Sequence, residues 1–224
     1  MTVNRTPVCA TTSGIPVRRQ PSLPARERRA ERPVPAVRDL RDRSGGGPRT
    51  LSFGLRDLVV VTGLPGSGKS TLMRRTVPGH RVDSQDARDR WAARLPAALP
   101  YALYRPLVRL AHYAGLRRAL GSGAGVVVHD CGTQPWVRAW LARAARRRGG
   151  TLHLILLDVP AGTARQGQRE RGRGVSRYAF RRHRGTTARL LGAVERGGSP
   201  AGCGSVVLLD RASADALKRI EFAE

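Results

Sequence analysis

Aromatic side chains make up only 4% of the 224 residues, so a core here has to be built from Val, Leu and Ala. That argues against an aromatic-rich β-sandwich. Long apolar runs are missing as well. The longest, such as Leu152 to Leu157, are strand-sized and fall short of the roughly 18 residues that a membrane-spanning helix needs, so a soluble protein is expected. Three cysteines, Cys9, Cys131 and Cys203, stand far apart with no C-x-x-C spacing. They suggest neither a disulfide framework nor a zinc site, and fit a reduced, cytoplasmic setting. Lysine is almost absent. Of 41 basic residues only Lys69 and Lys218 are Lys, which leaves 39 Arg against 16 acidic residues and a net charge of +25. That skew, beside abundant Ala and Gly, reads first as G+C-rich coding and second as selection for a polyanionic partner.

Residues 1–55 also lack any hydrophobic period. Prolines stand at 7, 16, 21, 24, 33, 35 and 48, and Gly45, Gly46 and Gly47 form a run. Proline locks φ and removes donors, and Arg and Gly offer little to bury, so a disordered tail is expected ahead of one folded domain over 56–224. No apolar segment suits a secretory signal. A nucleic-acid-binding arm is the sharper reading of the tail, and a dispensable extension the preferred one.

Leu58-Val59-Val60-Val61-Thr62 reads as a strand buried on both faces of a parallel sheet. Further strands are expected at 80–82, 126–129, 152–157 and 206–209. Helices are expected at about 86–94, 101–120, 135–148, 161–191 with breaks, and 213–222. Pro135 suits a first helical turn, and Gly149-Gly150 a stop. Strands that alternate with helices imply β-α-β crossovers.

Between the first strand and its helix lies Gly63-Leu64-Pro65-Gly66-Ser67-Gly68-Lys69-Ser70-Thr71, which meets the phosphate-loop pattern G-x-x-x-x-G-K-[ST] at Gly63, Gly68, Lys69 and Ser70. Glycines let the backbone approach a phosphate with no Cβ in the way, and the next helix aims its positive end at the same point. Lys69 is placed to reach the β- and γ-phosphates of ATP, and the Ser70 hydroxyl to ligate Mg²⁺. A Rossmann G-x-G-x-x-G fails because its third glycine would fall on Thr71. GTPase chemistry is disfavoured because no lysine is available for an N-K-x-D motif.

The reaction must be read elsewhere. Asp83-Ser84-Gln85-Asp86-Ala87-Arg88 follows the second strand, where a carboxylate can stand beside the γ-phosphate and take a proton from a hydroxyl. Helix capping by Asp83 or Ser84 explains part of the same segment. The third strand ends in His129-Asp130, and Asp130 takes the place of a Walker B carboxylate toward Mg²⁺. After the fourth strand, Arg165, Arg169 and Arg171 lie on a short helix and loop that can close over a triphosphate. A solvated basic face explains them equally well.

Taken together, GLPGSGKST, SQDAR, VVVHD and LLDVP with the following R-x-x-x-R-E-R-G-R resemble the small P-loop kinases related to polynucleotide kinase, chloramphenicol phosphotransferase and the zeta toxins, often catalogued as AAA-family ATPases. The likeness spans about 57–210. It implies a three-layer α/β fold with a five-stranded parallel sheet of order 2-3-1-4-5. It also implies ATP and Mg²⁺ as ligands and phosphoryl transfer to a hydroxyl of a small molecule or nucleic-acid end. By the same resemblance Asp86 is the base, Arg88 the acceptor contact, Asp130 a metal ligand, and Arg165 and Arg169 the lid arginines. The sequence departs from the pattern at Gln85, where the family commonly has Ser or Asp, and at Gly167, where an arginine is expected; Asp83 competes with Asp86 for the base. An ATP-hydrolysing or ATP-sensing switch without an acceptor is the alternative.

Overall fold

Uninterrupted apolar runs form the inner strands of a parallel sheet, where both faces are covered and no alternation is required. The computed structural model describes residues 36–43, 47–96, 98–129, 135–170, 175–198, 200 and 202–223. In chain order these form β1 (Ala36–Asp39), β2 (Thr50–Gly54), β3 (Leu58–Gly63), α1 (Lys69–Thr76), β4 (Arg81–Val82), α2 (Ser84–Ala92) and α3 (Tyr101–Gly121). There follow β5 (Val126–His129), α4 (Pro135–Arg147), β6 (Leu152–Leu157), α5 (Ala161–Arg169), α6 (Arg177–Glu195), β7 (Cys203–Leu209), α7 (Arg211–Ala216) and β8 (Arg219–Ala223). Every residue of β3 and β5 is buried, as is all of β6 except His153.

The main sheet runs β1-β7-β6-β3-β5-β4, and every pairing in it is parallel. Over the five strands read from the sequence this is the expected order 2-3-1-4-5. The count is six, not five, because β1 adds an edge beside β7, with Ala36 opposite Ser205 and Asp39 opposite Leu208. That corrects the boundary of the expected tail. Residues 36–43 and 47–55 are part of the fold, while 1–35, which carry the expectations of disorder and of a nucleic-acid arm, lie outside the described residues. An edge strand tolerates flanking Pro and charge, so its signal in the sequence is faint. Leu40 anchors it at 4% exposure, and Arg41 joins Asp39, Asp158 and Glu195 at 2.7–2.8 Å.

The C-terminal expectation also changes. The helix stops at Ala216, and Arg219–Ala223 pairs in parallel with β2 as a separate two-stranded sheet. Ile220 and Phe222 sit two apart, which is the period of a strand. They face Leu51 and Phe53, a partner segment too distant in sequence for a local reading to find.

Alternate residues of the sheet feed two cores. Val59, Val61, Ile155 and Leu157 pack with Leu72 and Met73 of α1, while Leu58, Val60, Val128 and Leu154 pack with Leu141 and Ala145 of α4. The carboxyl ends of β3, β5 and β4 are thereby held side by side, and the turns that follow them face one crevice. No helix among the described residues is long and apolar enough to cross a membrane.

Candidate nucleotide and acceptor site

Gly63, Gly66 and Gly68 take φ of 145°, 87° and 96°. These values are open to glycine and strained for other residues, which is why the turn from β3 into α1 needs them. Gly68 caps α1 without a side-chain hydrogen bond, and no acid occupies the first turn. The positive end of the α1 dipole therefore points at the crevice with no side-chain cap and no first-turn acid to offset it. Lys69 and Ser70 are 4% and 5% exposed, and Lys69 Nζ donates to the Gly63 and Leu64 carbonyls at 2.9 and 2.7 Å. Ser67 is 1% exposed, and its hydroxyl has no hydrogen-bond partner among the described residues.

The loop is gripped from above by α5. A Cβ on Gly66 would lie 2.0 Å from the Ala164 carbonyl oxygen, and one on Gly167 would lie 2.7 Å from the Gly66 oxygen. Gln168, 8% exposed, donates to the Pro65 carbonyl at 2.8 Å and accepts from the Val175 amide at 3.0 Å. The stripe of α5 that meets the loop is therefore Ala164, Gly167 and Gln168, spaced three and four apart. Arg165 and Arg169 fall on its exposed side and do not line the cavity; Arg165 lies over the Phe180 ring at 4.9 Å. Gly167 is a glycine because a side chain there would meet the phosphate loop. Arg171 lies outside the described residues.

A cavity of about 770 Å³ runs from Pro65, Gly66, Lys69 and Ser70 to a wall of α2 and α3. Its α2 side is formed by Ser84, Gln85, Arg88 and Asp89. Asp86 lines no part of it and faces Arg81, with 3.7 Å between charged atoms. The reason is helix phase: Ala87 is buried and Trp91 packs beside Tyr104 and Val108, which turns residues 84, 85, 88 and 89 one way and 86 and 90 the other. Arg88 is on the cavity face as expected, with its guanidinium 4.0 Å from the centre of the Tyr101 ring. Asp89 was not anticipated. Its spacing of four from Gln85 was the available signal.

Asp83 sits at the end of β4, 3% exposed. One oxygen accepts from the Gln85 amide at 2.9 Å as the helix cap, and it stands 3.2 Å from His129 Nδ1. Its other oxygen, Oδ2, is buried with no hydrogen-bond partner among the described residues. His129 Nδ1 also lies 2.8 Å from the Ser84 hydroxyl. Burial, and then the Lys69 charge, push the His129 imidazole down to about 4, so the ring is neutral at physiological pH. An unfolded chain titrates this group near 6.5, so as pH falls from 6.5 toward 4 the unfolded state binds a proton that the native state refuses. Stability should fall over that window. His129→Asn should flatten the acid limb of a Tm-against-pH curve, and an unchanged slope would contradict this account.

The residues present fit Mg²⁺ accompanied by a nucleotide. An uncommitted buried carboxylate oxygen of Asp83 and the Ser70 hydroxyl are hard oxygen donors. Among the described residues no group of three or more His, Cys, Asp or Glu could hold a metal on its own, so phosphate oxygens would have to complete the shell. Asp130 lies outside the described residues.

A family model described as an AAA domain matches residues 58–194. Among solved structures, one from the PezAT chromosomal toxin-antitoxin system of Streptococcus pneumoniae is similar at TM-score 0.50 and 13% identity, over 75% of this chain and 79% of that one. Shikimate kinase from Acinetobacter baumannii matches at TM-score 0.42 and 15% identity over 72% and 89% of the two chains. A gluconokinase from Sinorhizobium meliloti gives 0.41 and 18% over 73% and 91%. No curated protein matches. At 13% identity the first of these likenesses speaks to fold alone. The family match, which runs from β3 almost to the end of α6 over more than half of the residues, carries further: the chain belongs to the AAA domain family, with a phosphate loop at the end of the central strand of a parallel α/β sheet.

Proposed function

We propose that the protein is a Mg²⁺-dependent phosphotransferase that moves the γ-phosphoryl group of ATP to a hydroxyl. The observation that carries this reading is the extent of the cavity. Hydrolysis needs only a water beside the γ-phosphate, whereas about 770 Å³ opens from the phosphate loop to the α2–α3 wall, enough for a second substrate. The loop amides and Lys69 hold the phosphates, Ser70 and Asp83 would hold the metal together with Asp130 if the resemblance is followed, and Arg88 orients the acceptor. Magnesium bound there would neutralise phosphate charge. In the transfer, a bond forms between the acceptor oxygen and Pγ while the bond from Pγ to the bridging oxygen breaks, and ADP leaves with the electron pair.

The acceptor proton goes to a carboxylate of α2. Asp89 is the acid of that helix on the cavity face, so we assign it the role that the resemblance gives to Asp86. The charge-stabilising part is given to Lys69 and Arg88 in place of Arg165 and Arg169. Asp89→Asn should lower transfer of label from ATP by about 10²-fold, with ATP affinity within twofold of wild type. Asp86→Asn should transfer nearly normally. The reverse pattern would overturn the assignment.

Gln85 supports a second reading. An amide on the cavity face one turn before Asp89 cannot take a proton, which suits an ATP-hydrolysing or ATP-sensing switch. Phosphate release that no alcohol alters, and that survives Asp89→Asn, would favour the switch.

A further inference from the structure

The cavity continues into a lobe of about 390 Å³ between α2, α3 and α6. Four guanidinium groups face it from three helices: Arg88, Arg105, Arg109 and Arg182. In a chain with so many arginines that count alone decides little. Their convergence decides more. Like most of the described arginines, these four have no ion pair among the described residues, but they alone are gathered from three helices around one cavity that no described carboxylate lines. Arg88 rests on the Tyr101 ring instead, which fixes its fork without neutralising it.

Rarer residues concentrate here too. His112, His129 and His183 are three of the chain's five histidines, and Tyr101, Tyr113 and Tyr178 are three of its four tyrosines. Among the described residues no carboxylate lines the lobe. Arg105 and Arg109 are four apart on one face of α3, a like-charge pair that weakens a helix unless an anion sits between them. The far wall is firm, since Tyr113 packs on Trp136 and Trp140 at ring separations of 6.0 and 6.4 Å.

Resting on the phosphotransferase reading, we infer that the acceptor is itself a phosphomonoester: a small alcohol whose phosphate is held by Arg105, Arg109 and Arg182 and whose free hydroxyl points back to the phosphate loop. Guanidinium forks match phosphate oxygens two at a time, and a dianion answers more than one of them. A neutral sugar or antibiotic would leave the four charges facing one another. The lobe volume accommodates the body of a sugar phosphate or of a pyrimidine nucleotide.

The test is calorimetry on the full chain with Mg²⁺ and a non-hydrolysable ATP analogue filling the phosphate loop. Ribose 5-phosphate is compared with ribose, and UMP with uridine. One phosphorylated member at least should bind about 30-fold or more tightly than its alcohol, and which pair responds identifies the body attached to the phosphate. Arg105 and Arg109 are exposed, so the double variant Arg105→Gln with Arg109→Gln should fold; it should lose at least about tenfold of that preference while keeping its affinity for the ATP analogue. Equal binding of both members of each pair, no binding by any of them, or an unaffected double variant would overturn the inference. Transfer to ribose or uridine that ignores the double substitution would sink it and leave the phosphotransferase reading standing. Phosphate-dependent binding without any transfer would overturn the phosphotransferase reading, and the acceptor role with it, while the phosphate subsite of Arg105, Arg109 and Arg182 would stand.

Discussion

Lys69→Ala should remove measurable phosphoryl transfer, a loss of about 10³-fold or more. The magnitude follows from placement. This side chain is one of only two lysines in the protein, 4% exposed, and its ammonium lies against the Gly63 and Leu64 carbonyls at the mouth of the loop. Any triphosphate seated on the α1 amides must pass its terminal oxygens by this charge. Alanine keeps the backbone of the first turn of α1 and takes away the charge, so Tm should move little. Lys69→Arg should not rescue transfer, because a planar fork is bulkier than the ammonium and cannot stack in so closed a space. A second readout is independent of catalysis. Lys69 is one of the influences that hold His129 near 4, so in the alanine variant the imidazole should titrate higher while remaining below its ordinary value, since burial is the larger cause. Transfer at the wild-type rate, checked with labelled ATP on folded variant, would remove the basis of the functional proposal.

What the sequence made legible was what is local. A β-branched run, a glycine turn and a helix start lie within twenty residues, so the strand–loop–helix of the phosphate site could be read directly, while the order of the five strands came with the family resemblance. A helix cap at Asp83 or Ser84 could be read too, because capping depends on adjacent amides, and the structure puts it at Asp83. The two edge features could not. β1 is specified by its fit against β7 and by the Arg41 cluster, and β8 by pairing with β2; in both the paired strand is more than 150 residues away.

The site was legible by region and not by residue. That a carboxylate near 83–89 would serve the crevice followed from the end of a parallel strand, but which one depends on how α2 is rotated. Ala87 and Trp91 set that rotation by burying against neighbours whose positions the sequence does not disclose, and they turn Asp86 outward and Asp89 inward. The same holds for α5, where an abundance of arginine drew attention to the exposed face while the working stripe was small and polar. The lobe beyond Arg88 is built from three helices, and no stretch of sequence places Arg182 beside Arg105.

The close seating of α5 on the loop gives the second large effect. Gly66→Ala should abolish nucleotide binding and lower stability by roughly 2–4 kcal/mol, because the added methyl would meet the Ala164 carbonyl at 2.0 Å on a residue held at φ of 87°. Gln168 could swing its side chain aside, but the Ala164 carbonyl is backbone and cannot give way. Gly167→Ala probes the same contact from the helix: its methyl would lie 2.7 Å from the Gly66 oxygen, so α5 must lift away and take Gln168 from the Pro65 carbonyl, and ATP affinity should fall about tenfold. The control is in the same helix. Nothing lies within 4 Å of a methyl on Gly162, so Gly162→Ala should leave ATP affinity alone and raise Tm slightly through helix propensity. Thermal melts and ATP titrations on the three variants separate a contact from a general loosening of the helix. If Gly167→Ala behaved like Gly162→Ala, α5 would not be bearing on the loop, and glycine at 167 would need another cause.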